Sequence, residues 1–215
     1  MNTLRHLDDR LLADVNDFAR NTGWLHGTVL GYATYGLALF AVLLLAGILL
    51  RRTDSTRALA AAGWGALATV LAVALNQPLV SGFAEARPYT THPHLLVLAT
   101  RSSDFSFPSD HAVMAGAAAA GLWLASRVLG LIATVAALAI AFSRVYIAAH
   151  YPWDVAAGLL FGALVALLGW AMLRMPLIAV TGWLRSRPGL RAVFPGPAAG
   201  HLAVHRSGAG STSAA

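Results

Sequence analysis

Residues 27–50 contain no charged side chain. A bilayer crossing needs about 20 consecutive apolar residues, so this one run restricts what the chain can become. In water such a helix would need apolar cover on every side. In a membrane it needs none. The same pattern recurs. Ala58–Leu75 is a second apolar run, ending at Asn76-Gln77-Pro78. Ala112–Ala125 and Val128–Phe142 form two more, divided only by Ser126-Arg127, and Val155–Leu173 is the fifth. An arginine at mid-bilayer costs about 2.5–3.5 kcal/mol, so the Ser126-Arg127 break predicts a helical hairpin turning at Ser126–Gly130. Leu177–Leu184 is apolar but too short to cross after Arg174, Met175 and Pro176. The expectation is an all-α, polytopic membrane bundle, with about five spans near 27–50, 58–78, 111–126, 128–149 and 153–173.

Composition agrees. Of 215 residues, 58% are hydrophobic and 11% charged, against roughly 25% charged in soluble domains. Cysteine is absent, which excludes disulfides and thiolate chemistry. The net charge is +6 and every strong base is arginine. A basic chain can mark a nucleic-acid binder, but these arginines flank apolar runs, so no nucleic-acid partner is expected. Residues 3–24 place Leu4, Leu7, Leu11, Val15 and Phe18 at spacings of three and four among Asp and Arg. This predicts an amphipathic helix, lying on the membrane or against the bundle. Asp8, Asp9, Asp14 and Asp17 argue against a cleaved signal peptide. The Gly-, Ala- and Ser-rich stretch from 195 to 215 predicts a disordered tail.

With five spans, Arg51, Arg52, Arg57, Arg127, Arg174, Arg185, Arg187 and Arg191 share one side, which the positive-inside rule makes cytoplasmic. The 81–109 connection and the 146–154 turn then share the outer face. His111, Arg144, His150 and Asp154 collect there, and ionisable groups at membrane depth mark function. Pro108 keeps Phe107 out of helical geometry, which leaves Ser109 as an N-cap with Asp110 and His111 in the first turn. A helix N-terminus offers free N–H groups to an anion. Each residue alone has a plain reading. Ser109 and Asp110 can be a cap, Arg144 a snorkelling side chain, His150 a helix-ending histidine and Asp154 an N-terminal helix charge. Their occurrence together, with Arg87, is harder to explain that way. Guanidiniums bind phosphate by charge-assisted hydrogen bonds. A histidine can attack phosphorus and a second can protonate the leaving oxygen.

These residues are similar to the three motifs of the membrane-bound type 2 phosphatidic acid phosphatases, in the lipid phosphatase/vanadium haloperoxidase superfamily. The family pattern Ser-Arg-x5-His-x3-Asp is complete in Ser143, Arg144, His150 and Asp154. Pro-Ser-Gly-His appears as Pro108, Ser109, Asp110 and His111, with Asp for Gly. That form resembles the branch acting on undecaprenyl diphosphate in bacterial cell-wall lipid recycling. The resemblance implies His150 as nucleophile, Asp154 orienting it and His111 as general acid. It implies Arg87, Ser109, the Asp110 backbone and Arg144 as phosphate ligands, with no metal ion or other cofactor. The implied partners are a lipid phosphate and membrane lipids, and the implied place is the outer face of the bacterial cytoplasmic membrane. The first motif, Lys-x6-Arg-Pro, departs: Val80 stands where lysine is expected before Arg87-Pro88. Arg101 could replace that cation, or could be a loop arginine paired with Asp104. Phosphatidylglycerophosphate or phosphatidic acid as substrate, transfer to an acceptor other than water, and a non-catalytic lipid-phosphate binder or transporter are the rival readings.

Overall fold

A computed structural model describes residues 2–190, together with Val193 and Pro195. The disordered tail expected over 195–215, and Arg191, therefore lie outside the described residues, Pro195 excepted. Eight α-helices occur among them: α1 Asn2–Asn21, α2 His26–Tyr35, α3 Leu37–Arg51, α4 Thr56–Phe83, α5 Pro88–Thr91, α6 Asp110–Ala125, α7 Arg127–Tyr146 and α8 Pro152–Ser186. No strand occurs among the described residues. The all-α expectation holds, and the chain is a multi-pass membrane protein.

The elements differ from the sequence expectation in four ways. The first span is broken. α2 and α3 meet at 51°, at Gly36, where a Cβ would lie 2.8 Å from the Ile140 side chain and 2.9 Å from the Tyr32 ring. The second helix does not stop at Pro78 but runs through it to Phe83, adding a turn to its C-terminal end. The last helix likewise passes through Pro176 to Ser186, so the short 177–184 run is its continuation. The fourth helix ends at Tyr146 instead of near His150; Ala148, at φ 57°, turns the chain. The hairpin at Ser126 is as expected, with the Ser126 hydroxyl accepting from the Leu129 N–H.

Among the described residues three helices are long and apolar enough to cross a membrane, and the bent α2–α3 pair, counted as one span, makes a fourth. The remaining expected span, near 111–126, is α6, which has 16 residues, about 24 Å at 1.5 Å per residue. It is the central element of the bundle, with Ala112, Val113, Ala115, Ala117, Ala118 and Leu122 almost wholly enclosed. Its run of Ala and Gly from Ala115 to Gly121 brings backbones into contact. A Cβ on Gly116 would collide with the backbone of Leu159 on α8, and one on Gly162 of α8 would collide with Val113 on α6. At the Ser109 end of α6, a Cβ on Gly158 would lie 2.8 Å from the Ser109 carbonyl and 2.9 Å from Ala112 Cβ. The start of α8 therefore rests directly on the start of α6. The outward surfaces of α3, α4, α7 and α8 carry exposed Val42, Leu45, Leu67, Val70, Leu131, Val135, Leu160 and Leu164, as a lipid-facing surface requires.

Candidate active site

The α6–α8 contact fixes two motifs against each other. Ser109 N–H donates to the Asp154 carbonyl at 3.2 Å, joining the N-cap of α6 to the first turn of α8. In the turn after α7, the N–H groups of Ala149 and His150 both donate to the Arg144 carbonyl, at 3.0 and 3.3 Å. That turn places His150 and Arg144 on one wall of a cavity of about 570 Å³. Arg87, Pro108, Asp110 and His111 also line it, as do Gln77 and Val80 from the C-terminal end of α4. Segments from four parts of the chain thus meet at one opening.

His150 is buried, and its two ring nitrogens have different neighbours. Nδ1 lies 2.9 Å from the Ser106 carbonyl. A carbonyl can only accept, so Nδ1 carries the proton and Nε2 keeps its lone pair. The Arg87 guanidinium approaches that nitrogen, with Nη1 at 3.3 Å from Nε2, and also donates to the Ala149 and Asp104 carbonyls at 3.0 and 2.9 Å. Burial, and then the positive charges of Arg144 and Arg87, hold His150 well below the ordinary histidine range. It is therefore neutral at neutral pH, as a nitrogen nucleophile must be.

Asp154 is placed differently from the simple expectation. Its Oδ2 is 3.4 Å from His150 Nδ1, farther than the Ser106 carbonyl. The same oxygen accepts from the Ser106 hydroxyl and from the Tyr151 N–H at 2.9 Å. Ser106 thus sits between carboxylate and imidazole, giving its carbonyl to one and its hydroxyl to the other. It is fully buried. Sequence reasoning missed it; its only signal was its place three residues before Ser109.

Ser109 does occupy the N-cap of α6, but its side chain makes no capping bond. Its Oγ is buried without a partner, as is Nε of Arg144, whose Nη1 reaches the Ala33 carbonyl at 3.4 Å. The carboxylate of Asp110 accepts at Oδ1 from Asn76 at 2.8 Å and Gln77 at 3.1 Å. The polar pair that seemed to end the second span is the tether for Asp110, and Asp110 is more than a cap. Arg101 lies over the Tyr89 ring, 5.6 Å from its centroid, and is not among the cavity residues. Asp104 accepts instead from the Ser102 hydroxyl at 2.7 Å. Arg101 therefore takes neither role considered for it, and Val80 presents an apolar wall where the lysine was expected. No group of three or more His, Cys, Asp or Glu placed to hold a metal occurs among the described residues.

An apolar helical bundle with an arginine- and histidine-lined cavity at one end fits a membrane enzyme of phosphate chemistry. The chain belongs to the PAP2 superfamily, whose profile matches residues 61–177, and it is a phosphatase. It is 32% identical, over 71% of its length and 74% of the relative's, to the bacitracin transport permease protein BcrC of Bacillus licheniformis. It is 31% identical to an undecaprenyl-diphosphatase of Sulfolobus acidocaldarius, over 46% of this chain and 48% of that one. To the undecaprenyl-diphosphatase BcrC of Bacillus subtilis it is 29% identical over 62% and 67%. No solved structure matches at a comparable level.

Proposed function

We propose that the chain hydrolyses undecaprenyl diphosphate to the monophosphate, through a phosphohistidine on His150 and without a metal ion. The observation that carries this is the meeting of His150, His111, Arg87 and Arg144 on one cavity, with the lone pair of His150 on Nε2. Arg87, Arg144, the Ser109 hydroxyl and the first N–H groups of α6 hold the terminal phosphate. The unpartnered Ser109 Oγ and Arg144 Nε are groups that a bound anion would satisfy.

Nε2 attacks the terminal phosphorus, an N–P bond forms, and the P–O bond to the lipid phosphate breaks. His111 gives its proton to the departing oxygen. Water then attacks the phosphohistidine, losing a proton to His111, and phosphate leaves with the His150 lone pair restored. Asp154 acts through Ser106 and Tyr151 to hold the His150 loop and to stabilise positive charge on the imidazole. The arginines neutralise charge on the phosphoryl oxygens, the main demand of phosphoryl transfer. The cavity opens at the outer face of the bacterial cytoplasmic membrane, with the N-terminal helix at that interface.

The test is phosphate release by purified protein in detergent with chelator, comparing undecaprenyl diphosphate with phosphatidylglycerophosphate and phosphatidic acid. Turnover should persist in chelator, favour the diphosphate, and vanish in His150→Ala. Full activity in that variant refutes the mechanism. The apolar wall at Val80 and the transport-permease name of one relative favour a second reading, a lipid-phosphate binder. Binding without turnover on all three lipids would support it instead.

A further inference from the structure

The N-terminal helix is bolted to the catalytic loops, and one of the bolts is a helix cap supplied from outside the helix it caps. Along α1, Asn16 is almost fully buried and bonds both backbone groups of Leu96, at 2.8 and 3.0 Å. Arg20 donates to the His94 carbonyl, and Asp9 lies 3.3 Å from Nε2 of His92. These bonds fix the register of α1 against the loop that follows Arg87. At the adjacent position, the Asp8 carboxylate accepts from the Trp153 N–H at 2.9 Å.

Trp153 is the second residue of α8. The first turn of a helix has N–H groups without intrahelical acceptors, and a side chain at the N-cap ordinarily takes one. Here the N-cap is Tyr151, whose side chain makes no such bond; its hydroxyl is within 2.6 Å of Thr91 Oγ1. Pro152 has no N–H. The Asp154 N–H turns back to the Tyr151 carbonyl at 3.1 Å. The Trp153 N–H is left, and α1 supplies its acceptor, as a carboxylate at the positive end of the helix. The bond lies beside an apolar groove lined by Leu4, Leu7, Phe83, Phe107 and Trp153. Burial there pushes the Asp8 carboxyl above its ordinary range. Asp8 is not among the residues lining the catalytic cavity.

We infer that Asp8 is a positioning residue for the reaction: by capping α8 from α1, it sets the first turn that carries Asp154, and through it the His150 loop. The inference rests on the phosphatase reading of this site. The sequence places Asp8 on an amphipathic helix expected to lie on the membrane or against the bundle. The structure gives that helix a second task, holding the α8 end of the catalytic constellation in register.

The experiment compares Asp8→Ala, Asp8→Asn and, as a control on the same helix, the exposed Asp14→Ala. Each is assayed in detergent for kcat and KM on the best lipid substrate, with hydrogen exchange of the first turn of α8 measured in parallel. A displacement of about 1 Å transmitted to catalytic groups from outside the site can cost on the order of 100-fold in rate. Asp8→Ala should therefore lower kcat at least tenfold with KM within twofold, and speed exchange at Trp153. Asp8→Asn keeps an acceptor oxygen and should recover most of both, and Asp14→Ala should match wild type. The inference is overturned if Asp8→Ala keeps kcat within twofold, if its loss falls in KM, or if Asp8→Asn is as impaired as Asp8→Ala. It is also overturned if Asp14→Ala is equally impaired. Absence of turnover in the wild type would instead sink the phosphatase reading. The exchange rates would still decide whether Asp8 caps α8.

Discussion

Removing the Ser106 hydroxyl tests the arrangement around His150 most directly. Asp154 is 1% exposed and Ser106 is wholly buried, so bulk water cannot replace a lost bond. In Ser106→Ala, Oδ2 of Asp154 retains the Tyr151 N–H at 2.9 Å and the more distant His150 Nδ1 at 3.4 Å. The space left by one oxygen atom is too small for a water molecule. A hydrogen bond to a charged group contributes about 1.5–3 kcal/mol. If that loss is felt in the transition state, where the imidazole becomes positive and needs the carboxylate, kcat falls roughly 10- to 100-fold at about 1.4 kcal/mol per decade. The Ser106 carbonyl still accepts from Nδ1, so the tautomer is kept and KM should stay close to wild type. The ground-state share should appear as a drop in melting temperature of a few degrees, at roughly 2–4 °C per kcal/mol for a chain of this size. Phosphate release and a thermal melt in the same detergent read both. A variant with wild-type kcat and an unchanged melt would refute the idea that Ser106 links carboxylate to imidazole.

Three further outcomes follow from the packing and charges. Gly116→Ala and Gly162→Ala should each lower stability by about 1–3 kcal/mol, because the new methyl meets backbone across the α6–α8 contact. Gly63→Ala, with open space around its Cβ position, should be neutral or stabilising by up to about 1 kcal/mol; melts that rank the three otherwise would refute the contact. His150 has a folded pKa held below its unfolded value by burial and two arginines. The unfolded chain therefore binds the extra proton first, so stability should fall as pH drops below about 6.5 and level off under the folded pKa. A pH series of melts on wild type and His150→Gln should show that acid loss reduced in the variant.

The helical class, the membrane setting and the residues of the cavity were legible in the chain because each is written in local pattern. Uncharged runs of span length mean helices in lipid, and the Ser143–Asp154 and Pro108–His111 motifs are contiguous segments. Helix ends were less legible. Pro78 and Pro176 look like terminators, yet both lie inside long helices. A prolyl kink is tolerated where neighbouring helices hold the remaining turns. Ser106, Asn76 and Gln77 carry no catalytic signature in sequence. Their importance depends on what lies opposite them: Asp154 for Ser106, and Asp110 for the amide pair. For α1, Leu4, Leu7 and Leu11 of the apolar stripe are exposed, while half-exposed Phe18 sets its ring edge-on against Phe142 and Tyr146. The face packed on the bundle is Leu12, Asn16 and Ala19. Two faces of one helix can both be used, and the periodicity of one conceals the other.

The sequence by itself therefore determined a helical membrane phosphatase of the PAP2 superfamily and named seven residues of its candidate site, through patterns a few residues long. Only the tertiary structure decided how those residues are held. His150 turns its protonated nitrogen to a backbone carbonyl, Asp154 reaches it by way of Ser106, and α8 takes its cap from Asp8 at the far end of the chain. The physical reason is that hydrogen bonds are short and directional. Their partners are set by which backbones the small residues of α6 and α8 allow to touch, and that proximity is written nowhere in the linear order.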